Sequence, residues 1–180
     1  TIKADWKLLS KTFIIDIIAT DKVNDLALAK LNTANTSHLS ISSGGKFGED
    51  IKVYGFPLVN KLGGGLKVTK GIVSSLNGPN NNYSLMQIDA PIQPGNSGGP
   101  ILNKNGNLVG VAVATLSTPL MMSETTTIPQ NLNFGVKSET LSSFLKANNI
   151  DYKSKEYLET IQCLRSQLRT NLHNLLPISN

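Results

Sequence analysis

Histidine and cysteine are nearly missing from these 180 residues: the chain has two of the first, His38 and His173, and one of the second, Cys163. A lone thiol excludes an internal disulfide and any zinc site built from several cysteines, while leaving the redox compartment open. No run of about 18 apolar residues is present that could span a bilayer as a helix. The start, "TIKADWKLLSKTF", has neither an initiator Met nor a secretory pattern and reads as processed or truncated. The net charge of +5 comes from lysines scattered among Asn and Ser. With no basic run and no RNP-type aromatic motif, a nucleic-acid groove is not expected.

What is present suffices for a core. A hydrophobic content of 39% over this length can fill one compact domain or two small barrels packed together. "TFIIDIIAT", the polar turn "DKVND" and "LALAKL" read as a hairpin. A loop rich in Ser, Thr and Asn follows, then the strand "DIKVYGFP", ended by Gly55 and Pro57. "VNKLGGGLKVTKGIVSSL" places a glycine-rich loop before an expected strand pair, and "NGPNNNY" is a surface turn. "SLMQIDAPI", "PILNKNGNLVGVAVATL" and "NLNFGVKS" give four more short strands, with "NKNG" a hairpin turn. Short strands at this spacing predict an all-β barrel or sandwich.

Only the end changes period. "SETLSSFLKANN" predicts a helix with Ser138 as N-cap and Leu141, Phe144 and Leu145 on one face. Tyr157, Ile161, Leu164, Leu168, Leu172 and Leu175 then recur at helical spacing and predict a second amphipathic helix, either packed on the domain or presented to a partner or second copy.

The stretch Gly95-Asn96-Ser97-Gly98-Gly99 can be a hairpin turn that happens to hold a serine, or a nucleophile on a bent backbone. Acyl transfer at an amide needs a nucleophile, a base, a group to orient the base, and amide donors for the developing oxyanion. Glycines on both sides of Ser97 allow a turn in which the amides of Gly95 and Ser97, with Asn96 between them, form that hole beside the hydroxyl.

The wider string "QIDAPIQPGNSGGPILNKNGNLVGV" resembles the nucleophile segment of trypsin-like serine proteases of the HtrA (Deg) type. Three further stretches agree in order: "DKVNDLALAKL", "VYGFPL…LKVTKGIVSS" and "NLNFGVKSETL". The resemblance covers residues 10 to 146. It implies an all-β, chymotrypsin-like double β-barrel with C-terminal helices: residues 1–45 as the remainder of an incomplete first barrel, 46–137 as the second barrel, and 138–180 as helices. It further implies a serine endopeptidase with Ser97 as nucleophile and Asp25 as triad acid, acting on polypeptide substrates without metal or organic cofactor, in an extracytoplasmic setting.

Two departures from the family pattern matter, two substituted positions and a missing histidine. Gly135 stands where the family has Ala, and Lys137 where it has Pro. More consequentially, the family's triad histidine precedes the aspartate, and no histidine precedes Asp25 here. His38 sits in a polar loop and His173 on the predicted terminal helix, so both read as ordinary surface or packing residues. The chain is thus expected to be a piece of a protease whose base lies upstream of Thr1, or a degenerate protease kept for binding. The resemblance also implies a substrate pocket walled by Pro91 and Ile92, by Val111, Ala112, Val113 and Ala114, and by Asn133, Phe134 and Gly135. With Pro91 where trypsin-like enzymes carry a carboxylate, that pocket suits small aliphatic side chains. Asp89 reads as a structural hydrogen-bond acceptor pointing away from it.

Overall fold

Alternation of apolar and polar residues builds a short sheet and a closed barrel. The computed structural model describes residues 2–6, 11–31, 38–57, 65–113 and 132–152. The expected hairpin forms as β2 (Lys11–Asp21) and β3 (Leu26–Leu31). A strand that no residue pattern marks, β1 (Ile2–Trp6), pairs antiparallel with the start of β2, so the sheet runs β1-β2-β3.

The barrel comprises β4 (Asp50–Gly55), β5 (Lys67–Ser75), β6 (Leu85–Ile88), β7 (Pro100–Asn103), β8 (Leu108–Val113) and β9 (Asn133–Lys137). It closes in the order β4-β5-β6-β9-β8-β7, all neighbours antiparallel. Residues alternate in and out along β4, and its inward Ile51 and Val53 meet Val73, Met86, Ile88, Ile101 and Val109 in one buried cluster. The strand pair expected in "LKVTKGIVSS" is a single nine-residue strand, β5. Gly71 does not break it, because the ladder with β4 runs through this residue, pairing it with Ile51.

At the "NKNG" turn between β7 and β8, the Asn103 side-chain oxygen accepts the amides of Asn105 and Asn107, and Gly106 takes a φ of +75°. The helix α1 (Ser138–Ala147) follows β9 directly and packs on β8 and β9. Its N-cap is the extended Lys137 and not Ser138, which is the first helical residue, fully buried, with its hydroxyl on the Glu139 carboxylate at 3.3 Å. Strand β9 runs into the helix without a loop, so Ser138 is already inside the first turn and cannot cap it. Gly135 is also explained by packing: a Cβ there would meet the Cδ1 of Ile101 and lie 3.2 Å from the Val111 carbonyl. The predicted second amphipathic helix lies outside the described residues.

Candidate active site

The site is built on the chain that leaves β6. Asp89 takes the amide of Ile72 on its carboxylate at 2.6 Å, so it is a structural acceptor, as its sequence position suggests. The carbonyl of Ala90 accepts the side-chain amide of Asn133 at 2.9 Å, and that of Pro91 accepts the hydroxyl of Thr69 at 2.9 Å. Ile92 then turns into the barrel core.

Beyond Ile92 the backbone coils tightly. The amide of Asn96 donates to the carbonyl of Gln93 at 2.9 Å, and the amide of Gly99 to the carbonyl of Asn96 at 2.8 Å. Gly95 has a φ of +103° and Gly98 one of +80°, conformations that glycine adopts without steric cost. Strand β8 holds the far end: Gly98 donates to the Ala112 carbonyl at 2.8 Å, and Ala112 donates back to that of Gly99 at 2.9 Å. Asn96 is buried, whereas Ser97 is exposed. Among the described residues, the amides of Gly95 and Ser97 and the hydroxyl of Ser97 have no hydrogen-bond partner, while the Asn96 amide is used within the turn.

An apolar groove of about 540 Å³ opens beside Ser97, lined among others by Leu39, Tyr54, Phe56, Leu66 and Leu102. No local pattern in the sequence marked it. Of the residues named for a substrate pocket, Pro91 is exposed, Val111 and Val113 are half-buried, and Ala112, Asn133 and Phe134 are buried. Ile92 and Ala112 belong to the barrel core, so backbone is what they can offer to a pocket. Gly135 is buried in β9, and Ala114 lies outside the described residues.

Asp25 stands on the β2–β3 turn, exposed, with a φ of +53° and no hydrogen bond to its carboxylate among the described residues. Its neighbour Asp21 shapes that turn. The Asp21 carboxylate accepts the side-chain amide of Asn24 at 2.6 Å and the backbone amides of Val23 and Asn24 at 3.0 and 3.1 Å. These bonds, the Asn24 side chain foremost, hold the Asp21 carboxyl below the usual carboxylate range. His38 is exposed and directly precedes Leu39 of the groove, whereas His173 lies outside the described residues.

Comparison with known proteins places this geometry in a class. The family model described as a trypsin-like peptidase domain matches residues 9–111, and the chain belongs to that family. More narrowly, it is an HtrA-type domain with the chymotrypsin-like fold. It is 35% identical to a serine protease HtrA-like of Staphylococcus aureus, over 68% of this chain and 18% of that protein. It is 38% identical to the uncharacterized protein y4bJ of Sinorhizobium fredii, over 75% of this chain and 21% of that one. The crystal structure of the serine endoprotease from Yersinia pestis superposes with a TM-score of 0.61 at 25% identity, covering 78% of this chain and 46% of the other. The chain thus spans about a fifth of the length of the curated relatives it matches. No helix among the described residues is long and apolar enough to cross a membrane.

Proposed function

We propose that the chain is the nucleophile-bearing part of a serine endopeptidase that cleaves unfolded polypeptides after small aliphatic residues, in an extracytoplasmic setting. The observation that carries this reading is the exposed Ser97 hydroxyl flanked by the amides of Gly95 and Ser97, which have no partner among the described residues. Buried or paired amides would be useless to an oxyanion; free ones on a glycine-shaped turn are organised before the charge develops.

In the proposed reaction the Ser97 oxygen attacks the substrate carbonyl carbon and its proton passes to a histidine oriented by Asp25. The two amides hold the negative oxygen, and the leaving amine takes the proton as the peptide C–N bond breaks. Water then attacks the acyl-enzyme by the same route and releases Ser97. No histidine precedes Asp25 in these 180 residues, so the base is assigned to a part of the protein outside them. Two features support that assignment. The groove beside Ser97 is apolar and open, and Ile17 and Ile18, at a bulge in β2, are 41% and 51% exposed. An apolar wall and a sheet with exposed isoleucines are what the rest of a first barrel would cover.

The preference for small aliphatic side chains is supported by Pro91 at the expected pocket base, where no carboxylate could pair with a substrate Lys or Arg. Digestion of a peptide library by the full-length protein is expected to yield cleavage after Val, Ala or Leu, abolished in Ser97→Ala. Strong preference for Arg would remove the pocket assignment. A second reading, a protease fold retained for binding, is favoured by the Asp25 carboxylate, which has no partner among the described residues. It predicts no Ser97-dependent cleavage by the full-length protein at all.

A further inference from the structure

We propose that Thr69 is a positioning residue for the oxyanion turn: its hydroxyl clamps the carbonyl of Pro91 and so holds residues 91–96 in the shape that leaves the Gly95 and Ser97 amides free. The inference rests on the reading of Ser97 as nucleophile.

Three consecutive residues after β6 are gripped from neighbouring strands. Asp89 is held twice by Ile72 of β5, through the carboxylate at 2.6 Å and through its amide on the Ile72 carbonyl at 3.3 Å. Ala90 is held from β9 by Asn133. Pro91 is held by Thr69, 22 residues away in sequence. The approach is close enough to require Gly71 on β5, since a Cβ there would lie 2.7 Å from the Cα of Ala90.

Pro91 has no N–H, so its carbonyl is the only backbone group by which it can be held. The peptide group is planar, so fixing that carbonyl also fixes the direction of the Ile92 amide. The Ile92 side chain is anchored in the barrel core. Only Gln93 and Pro94 then separate the clamped segment from Gly95, and the Gln93 carbonyl is the acceptor that folds the Asn96 amide back. Freeing Pro91 would let the Gln93 acceptor drift, and with it the turn. A valine at position 69 would keep the β-branched shape that suits β5 while removing the donor, and a serine would keep the donor.

The test compares Thr69→Val with Thr69→Ser in the full-length protein, by melting temperature, backbone amide exchange and peptide-hydrolysis kinetics. In Thr69→Val the Asn96 and Gly98 amides are expected to exchange about tenfold faster or more, with Val53 and Met86 in the barrel unchanged. The kcat is expected to fall about tenfold with KM within about twofold, a fraction of what losing an oxyanion donor costs. Thr69→Ser should restore both. Unchanged exchange at Asn96 overturns the proposal, as does acceleration spread through the barrel, which would mean general destabilisation. Failure of Thr69→Ser to rescue also overturns it. If the wild-type protein shows no Ser97-dependent hydrolysis but the exchange response appears and is rescued, the clamp stands and the reading of Ser97 falls.

Discussion

Phe56 donates its backbone amide to the carbonyl of Gly95 at 3.2 Å, so the end of β4 holds one side of the turn while Ala112 of β8 holds the other. A Cβ at Gly95 would lie 3.0 Å from the Cα of Pro57 and press on the Phe56 carbonyl, on a backbone with φ of +103°. Gly95→Ala is therefore expected to cost about 1–3 kcal/mol and to lose reaction with a fluorophosphonate at Ser97. Thermal melting and probe labelling of the full-length protein check both effects, and an undisturbed melt would show that the turn has more room than this contact allows.

The 180-residue chain by itself should react with the same probe very slowly, and the full-length protein quickly, with Ser97→Ala silencing each. A serine hydroxyl without an adjacent base is a poor nucleophile, and triad members act as a unit. Fast labelling of the short chain would point to His38, whose neighbour Leu39 lines the groove at Ser97.

Asp25→Asn in the full-length protein is expected to lower kcat by roughly 10⁴-fold, the scale seen when the acid that orients a triad histidine is neutralised. In the 180-residue chain alone the same change should hardly move the melting temperature, because the Asp25 carboxylate is exposed and makes no hydrogen bond among the described residues. A large loss of stability with activity retained would make Asp25 a turn residue only.

Gly135→Ala should destabilise the barrel by about 1–3 kcal/mol through overpacking against Ile101. Combining it with Ile101→Val, which shortens the clashing side chain, should recover part of that loss; urea midpoints of the two single variants and the double variant measure the coupling. Strict additivity would mean that the Val111 carbonyl, and not Ile101, is the obstacle.

The β2–β3 turn should loosen in acid. The Asp21 carboxyl is held below its usual range by Asn24 and Val23, so its native form binds a proton less readily than the unfolded chain does. Its contribution is therefore present above the unfolded value near 3.9 and lost as pH falls through the lower folded value. The amide resonances of Val23 and Asn24 should shift together in that acid window, and Asp21→Asn should move them out of step with pH. Titration of both amides around neutral pH would contradict this assignment.

The positions of β2 to β4 and β6 to β9, the "NKNG" hairpin and the glycine-rich turn around Ser97 were legible from residue order, because period-two patterning and turn chemistry act between near neighbours. Where local signals misled, a longer contact had prevailed. The expected strand pair is one strand through Gly71, because the β4 ladder continues through it and its missing side chain leaves room for the Asp89 carboxylate and the Ala90 backbone. Ser138 reads as a cap but is buried in the first helical turn, because β9 delivers the chain straight into α1. By itself the sequence determined which residues could turn, alternate or carry a nucleophile. Only the closed barrel decided that Thr69 and Asn133 reach the carbonyls of Pro91 and Ala90, and that the amides of Gly95 and Ser97 stay without partners among the described residues. Those contacts depend on the register between strands far apart in the chain. Register is fixed by how the inward side chains of all six strands share one core, and no short stretch of sequence contains that information.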